Sequence, residues 1–200
     1  MEYQQAPDIA STLAALYADK EIVLVAIDGP GGSGKTFLAE SLRRILSESA
    51  VPASTIHVDD FFLPSGLRPA GAPTEKPIGG DFDWCRLRDQ VLRPLRTGAS
   101  ARYDRYDWGK DSLTDSCEVS PDRVVLVEGV YSSRREVAEF YDLRIWVDCP
   151  RELRLLRGLE RDGEAARRRW EEDWMPSEDR YMQEHRPQEL ADAIVHGVAV

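Results

Sequence analysis

A glycine-rich segment carries the clearest chemical signal in the sequence, because it matches the pattern G-x-x-x-x-G-K-[ST]. The segment runs Gly29, Pro30, Gly31, Gly32, Ser33, Gly34, Lys35, Thr36. Glycines let successive backbone N–H groups curl around phosphate oxygens, Lys35 adds a cation for the β- and γ-phosphates, and the Thr36 hydroxyl suits Mg²⁺. The segment therefore predicts a phosphate-binding loop, called the P-loop below, that binds ATP and Mg²⁺.

Two other interpretations of this loop remain open from the residues alone. Gly29, Gly31 and Gly34 also satisfy G-x-G-x-x-G, the fingerprint of a dinucleotide-dependent oxidoreductase. A glycine turn can also serve only to pack a helix onto a strand. The Lys-Thr pair after the last glycine favours the P-loop, because a dinucleotide site does not need it.

Acidic residues follow two of the predicted strands, at the sheet edge where the P-loop must also lie. Asp59 follows the run STIHV, and Glu128 ends the run VVLVE. Phosphoryl transfer needs one carboxylate to orient and deprotonate the acceptor hydroxyl and another to hold Mg²⁺. We assign the first role to Asp59 and the second to Glu128. Turn formation or helix capping is the alternative for both residues.

Arginines are concentrated in one stretch after the predicted strand at 143–148. Arg157 and Arg161 lie on a predicted helix, and Asp162-Gly163 breaks that helix before further arginines at 167–169. A hinged arginine segment suits a lid that closes over ATP, excludes water and neutralises the transferring phosphoryl group. We place this lid at about residues 157–170. The alternative is a solvated helix face.

The elements that must position these residues follow from apolar patterning. Continuous apolar runs predict buried strands at 22–27, 54–58, 124–128 and 143–148, and a short last strand is predicted at 193–197. The second of these strands is expected to finish at Asp59-Asp60. Apolar residues at helical spacing follow the P-loop and predict a helix there, and further helices are predicted at about 83–95 and 177–189. This order predicts an α/β fold: a single domain over 1–200 with a three-layer, doubly wound parallel sheet. The Pro- and Gly-rich stretch from 61 and a short antiparallel excursion form an acceptor-binding insert at about 61–113.

Composition narrows the classes of partner. A net charge of −10 opposes general binding of nucleic acid, whose phosphates demand a basic surface. No apolar run is long enough to cross a bilayer, and the three cysteines are isolated, which suggests reduced thiols in a cytoplasmic protein. We therefore expect a cytoplasmic protein with a small-molecule acceptor and no membrane partner. The sequence leaves open whether the chain forms a homo-oligomer.

Several of these segments together resemble the uridine kinase and phosphoribulokinase family of P-loop kinases. VDDFFLP is similar to the D-S-F-Y of uridine–cytidine kinases and the D-D-F-F of nicotinamide riboside kinases, VLVEGVYS to the family's strand ending in E-G, and WVDCPRELRLLRGLERD to its strand-then-lid segment. The resemblance implies that Asp59 is the catalytic base and that Glu128 lies by the metal. It also places Arg154, Arg157 and Arg161 at the family's lid arginines.

The resemblance also supplies expectations for the acceptor pocket. DFDW implies that Asp81 or Asp83 holds ribose hydroxyls, and RYDRYDWGKDS places Tyr106 in the pocket. Asp111 stands where the family has a histidine that helps to recognise a pyrimidine, so we expect uridine to be a poor acceptor. The implied activity is an ATP-dependent kinase of a nucleoside or nucleoside-like molecule. A kinase of a pantothenate-like or sugar acceptor, and an ATP-hydrolysing switch or assembly protein, remain alternatives.

Overall fold

The computed structural model describes residues 3–73, 75–121 and 123–197 and contains one central sheet and one separate hairpin. In chain order the strands are β1 (Val23–Asp28), β2 (Ala53–His57), β3 (Ala101–Asp107), β4 (Ser112–Val119), β5 (Val124–Glu128), β6 (Leu143–Asp148) and β7 (Ala193–His196). The central sheet has the order β2-β5-β1-β6-β7, and every neighbouring pair in it is parallel. Strands β3 and β4 pair antiparallel, as the sequence predicted for this region.

The helices follow the order that the sequence predicted. They are α1 (Ala6–Asp19), α2 (Lys35–Glu48), α3 (Trp84–Leu87), α4 (Arg93–Arg96), α5 (Arg151–Asp162), α6 (Met175–His185) and α7 (Pro187–Leu190). A π-helical segment, Arg88–Leu92, joins α3 to α4, and another, Arg169–Trp174, leads into α6. Short 3-10 turns lie at Val58–Phe61, Ser65–Leu67, Ala138–Phe140 and Glu164–Ala166. The predicted α/β class with a doubly wound parallel sheet is confirmed.

Strand β1 lies at the centre of the sheet, and all its residues are therefore buried. Its alternate side chains enter two different cores. Val25 and Ile27 pack with Leu38 and Leu42 of α2, on the side of the sheet that α1 also covers. Leu24 and Ala26 pack on the opposite side, where α3, α4 and the hairpin lie. Two covered faces explain why this strand is a continuous apolar run rather than an alternating one.

The sequence-based end of β2 needs a correction. The prediction extended this strand to Asp59-Asp60, whereas β2 ends at His57 and the chain turns through the 3-10 segment Val58–Phe61. Asp59 and Asp60 therefore do not alternate between the two faces of a strand. In a 3-10 turn, successive side chains are rotated by roughly a third of a turn, so the two carboxylates point to different neighbours near the same sheet edge.

Within the described residues, no helix is both long and apolar enough to span a membrane.

Candidate active site

The P-loop joins β1 to α2 and has the backbone conformation that its glycines permit. Gly34 caps α2 with a φ of 99°, and Gly32 has a φ of 75°. A Cβ on Gly32 would lie 2.5 Å from the carbonyl oxygen of Arg154 in α5. Any larger residue at Gly32 would be strained in its backbone and would push α5 away from the loop.

Polar groups in the loop fit the phosphates of ATP. The Oγ of Ser33 is buried and has no hydrogen-bond partner among the described residues. The Nζ of buried Lys35 donates to the carbonyl oxygen of Pro30 at 3.0 Å, so the ammonium group folds back over the loop. An orphaned buried hydroxyl is costly unless a ligand or water satisfies it. Phosphate oxygens at the N-terminus of α2 would satisfy both groups.

The predicted metal residues meet directly. Thr36 Oγ1 donates to Glu128 Oε1 at 3.2 Å, and Nδ1 of His57 lies 2.5 Å from the same carboxylate oxygen. The hydrogen bond to Glu128 raises the pKa of His57. Burial alone would raise the pKa of Glu128, but the contacts with His57, Lys35 and Thr36 hold it below its ordinary value. Glu128 is therefore an ionised carboxylate next to an exposed hydroxyl.

This donor set fits Mg²⁺ better than a transition metal. No group of three or more His, Cys, Asp and Glu side chains able to hold a metal occurs in the described part of the chain. Mg²⁺ usually takes one or two protein oxygens and completes its shell with waters and substrate phosphates. The Thr36 hydroxyl and the Glu128 carboxylate match that pattern.

The two adjacent aspartates after β2 have different surroundings. Solvent reaches the side chain of Asp59, yet protein atoms surround it closely enough that lost hydration, together with the charge of Glu128, raises its pKa. Lys35, Arg161 and His57 act in the opposite direction. The Oδ2 of Asp60 instead accepts from Tyr103 of the hairpin at 3.2 Å. Asp59 is thus the carboxylate that lies among the side chains predicted to bind phosphate and metal.

The two lid arginines occupy different places. Nη1 of Arg157 donates to the carbonyl oxygen of Gly197 at 2.6 Å and lies 3.4 Å from that of Gly32 in the P-loop. Arg161 is exposed, pairs with Asp162 at 2.7 Å and stacks over the ring of Trp170. The charges of Arg161 and Asp59 interact, so Arg161 lies near Asp59, whereas Arg157 braces the P-loop backbone. Their roles in transfer remain a prediction.

The predicted acceptor residues at 81–83 already have partners. Both oxygens of Asp81 accept from Lys76, at 2.9 and 3.2 Å. Oδ1 of Asp83 caps α3 by accepting from the backbone N–H of Arg86 at 3.0 Å. The cap fixes where α3 begins and hence the position of both carboxylates.

Tyr106 and Asp111 form a cluster that ties the hairpin to the insert. Asp111 Oδ1 accepts from the backbone N–H of Ser65 at 2.9 Å, from Tyr106 Oη at 2.7 Å and from Arg68 at 3.1 Å. Its other oxygen accepts from the Ser65 hydroxyl. The hydrogen bonds from Ser65 and Tyr106 lower the pKa of Asp111 to about 2. Asp111 therefore holds the chain together at this point.

Asp28, at the end of β1, organises the site although the sequence-based reasoning did not single it out. It is fully buried, and its Oδ1 accepts from the backbone N–H groups of Gly29 at 2.7 Å and Tyr131 at 3.1 Å. Its Oδ2 accepts from Ser133 and, at 2.6 Å, from Tyr181 of α6. One carboxylate thus connects the P-loop, the loop after Glu128 and α6. Its place directly before the glycines was the only available signal.

Glu178 of α6 is a second residue that the sequence did not reveal. Its buried carboxylate accepts from the backbone N–H of Gly31 at 3.0 Å and from Arg154 at 3.1 Å. Burial raises its pKa. The contact attaches α6 directly to the P-loop.

Comparisons with known proteins agree with this geometry. A model of the phosphoribulokinase/uridine kinase family matches residues 77–187. A uridine kinase of Halobacterium salinarum is 31% identical over 144 residues, which cover 69% of this chain and 61% of that protein. An inorganic pyrophosphatase of Arabidopsis thaliana is 28% identical over 158 residues, which cover 76% of this chain and 21% of that protein.

The matched segment thus spans less than two thirds of either relative, 61% and 21% of their lengths. Among solved structures, a possible uridine kinase from Bacillus stearothermophilus has a TM-score of 0.71 at 22% identity and covers 94% of this chain and 98% of that chain. This likeness supports the fold. The chain belongs to the phosphoribulokinase/uridine kinase family.

Proposed function

We propose that this chain transfers the γ-phosphoryl group of ATP to a hydroxyl of a nucleoside or nucleoside-like small molecule. The observation that carries the proposal is the place of Asp59, an accessible carboxylate beside Glu128 and Lys35 at the mouth of the P-loop. A carboxylate in this place can accept the proton of an acceptor hydroxyl. The relative named uridine kinase supports a nucleoside as the class of acceptor.

The other residues have roles that follow from their contacts. The P-loop amides and Lys35 would bind phosphate oxygens, with Lys35 leaving the carbonyl of Pro30 to do so. Thr36 and Glu128 would hold Mg²⁺, which supplies positive charge to the phosphates when it is bound. Arg161, which lies near Asp59, would add positive charge beside the transferring phosphoryl group. We place this reaction in the cytoplasm, in a single domain that acts on small molecules rather than on nucleic acid or membranes.

The identity of the acceptor within this class is restricted by Asp111. Its oxygens already accept four hydrogen bonds, from Ser65, Tyr106 and Arg68. A carboxylate engaged in this way neither donates to a base carbonyl nor offers a free oxygen. We therefore expect uridine to be a poor acceptor. A kinase of another small alcohol, such as a pantothenate-like or sugar acceptor, is the second candidate.

The test follows ADP release from Mg-ATP while nucleosides and other small alcohols are added one at a time. The wild type should release ADP rapidly only with its acceptor, and Asp59→Asn should lower that rate by about 10²–10⁴-fold while ATP still binds. Asp60→Asn is the matched control, because Asp60 binds Tyr103 instead. ADP release that no acceptor accelerates would support the switch or assembly protein. Loss of activity in Asp60→Asn alone would move the base to Asp60.

A further inference from the structure

Arg134, in the loop after β5, is a buried cation that the proposed mechanism does not use. Only 5% of the residue is exposed. Its Nε and Nη2 donate to the two carboxylate oxygens of Glu136, each at 2.9 Å, and its guanidinium lies 4.8 Å from the ring centre of Trp84. Its third nitrogen, Nη1, is buried and has no hydrogen-bond partner among the described residues. An arginine keeps its charge in proteins, so the two free N–H bonds of Nη1 need an acceptor.

The free nitrogen lies where the acceptor insert meets the loop after Glu128. A Cβ on Gly79 would be 3.2 Å from Nη1 of Arg134 and 3.1 Å from Cγ of Tyr131. Gly79 is followed closely by Asp81 and Asp83, one of which the family resemblance assigns to the acceptor. Gly79 has a φ of 58° and no side chain, so the insert covers the guanidinium only with backbone at this point.

The same loop shows two further signs of a binding segment. Tyr131 has a φ of 72°, which is a rare conformation for a residue with a large side chain, and such strain concentrates at functional sites. Ser132 is fully buried, and its hydroxyl has no partner within the described residues. The strained Tyr131 and the two residues with unsatisfied polar groups, Ser132 and Arg134, thus lie within four positions of each other. They follow closely after Glu128, the predicted metal residue.

We infer that Arg134 recognises a carboxylate on the acceptor, which makes it a specificity-determining residue. This inference rests on the proposed kinase function and names the chemical class of its acceptor. A planar guanidinium matches a carboxylate or a phosphate, and an ionised partner gives the stronger hydrogen bond. Glu136 already supplies one negative charge to Arg134. A monoanionic carboxylate therefore fits this environment better than a dianionic phosphate, which would add repulsion.

The experiment compares acceptors that differ in one carboxylate. The pairs are uridine and orotidine, nicotinamide riboside and nicotinate riboside, and glycerol and glycerate; ribose and ribose 5-phosphate test phosphate instead. For the pair that is phosphorylated, we expect kcat/KM to be about 10- to 100-fold higher for the carboxylate member. Arg134→Met should abolish most of that preference by raising KM for the carboxylate member. Three results would overturn the inference. The wild type could use the carboxylate and the neutral acceptor equally well, or it could prefer ribose 5-phosphate. Folded Arg134→Met could also keep the wild-type preference.

Two further variants keep the test decisive. Arg135→Met is the matched control, because its side chain is exposed and lies next along the chain; it should keep the wild-type preference. Glu136→Gln removes the competing carboxylate from a position that is 37% exposed, so it remains informative if Arg134→Met does not fold. It should lower KM for the carboxylate member. An unchanged or higher KM in folded Glu136→Gln would count against the inference.

The outcomes separate this inference from the proposed function. Phosphorylation of glycerate but of no nucleoside would refute the nucleoside acceptor and support the role of Arg134. Phosphorylation of nucleosides without preference for a carboxylate would support the nucleoside acceptor and refute the role of Arg134. If no pair is phosphorylated, thermal unfolding decides, because bound ligand stabilises the folded state. Carboxylate members must then raise the Tm of the wild type and not of Arg134→Met, and the absence of that difference would overturn the inference.

Discussion

Substitution of Gly158 by alanine tests how the segment after α5 is anchored. Trp170 is almost fully buried, and a Cβ on Gly158 would lie 2.5 Å from its Cζ2 and 2.9 Å from its Cδ2. The opposite edge of the same ring reaches the P-loop, where a Cβ on Gly31 would lie 3.0 Å from Cη2. Trp170 Nε1 also donates to Asp162 at 3.0 Å. The indole therefore packs between α5 and the P-loop and attaches the predicted lid segment to both.

The expected effect of Gly158→Ala follows from these distances. Carbon atoms pack at about 3.5–4.0 Å, so the indole must move by about 1 Å to admit the new methyl group. Overpacking of this kind costs about 1–3 kcal/mol. Alanine recovers about 1 kcal/mol through its better helix propensity. The net loss is about 0–2 kcal/mol, which corresponds to a fall in Tm of up to about 8 °C for a domain of this size.

Thermal unfolding by circular dichroism and the emission of the buried indole measure this change. Gly66→Ala is the matched control, because a Cβ on Gly66 would meet no atom within 4 Å and its φ is not positive. The control should unfold within about 2 °C of the wild type, since surface changes of this kind are small. A Gly158→Ala protein that is more stable than the wild type, with unchanged tryptophan emission, would refute the packing of Trp170 on Gly158.

Three other substitutions test separate parts of the structure. Lys35→Ala should lower acceptor-dependent ADP release by about 10²-fold or more, and a folded variant near the wild-type rate would remove the P-loop assignment. Asp111→Ala should release the insert at Ser65, so limited thermolysin digestion should cut before the exposed Leu67 faster than in the wild type; an unchanged rate would contradict this role of Asp111. For Asp142, burial alone would raise the pKa, but hydrogen bonds from Lys20 and Arg96 hold it below its ordinary value. Its contribution to stability is therefore present above the unfolded pKa of about 3.9 and is lost as the pH falls through the lower folded pKa. Asp142→Asn should remove that part of the acid dependence in unfolding curves, and identical pH profiles would refute it.

The features that the sequence predicted correctly are those encoded by neighbouring residues. Strand β5 is a continuous apolar run because both of its faces are covered, and that pattern alone predicted its bounds. The P-loop was recognisable because its glycines, Lys35 and Thr36 are consecutive or nearly so. The contact between Thr36 and Glu128 was accessible to reasoning because parallel strands end at one edge of the sheet.

The features that the sequence did not predict depend on contacts between distant residues. Glu178 lies 147 positions from Gly31, and Tyr181 lies 153 positions from Asp28. No local pattern distinguishes these two residues from other polar residues on an amphipathic helix. His57 carried no functional signal in the sequence, yet its ring is half exposed and contacts Glu128, which lies in the adjacent strand β5. Its pairing depends on strand order, which the sequence did not specify.

The turn after β2 explains how two neighbouring aspartates acquire different tasks. If β2 had continued, Asp59 and Asp60 would point to opposite faces of the sheet, and one of them would enter the apolar core. The 3-10 turn keeps both near the sheet edge, where Asp60 binds Tyr103 and thereby connects the hairpin to the turn. Asp59 receives no side-chain hydrogen bond from the described residues, and it lies within the field of Glu128, Lys35 and Arg161. One aspartate therefore fixes the acceptor insert against the sheet. The other lies next to Lys35 and Glu128 without such a bond, which is the position that the proposed base requires.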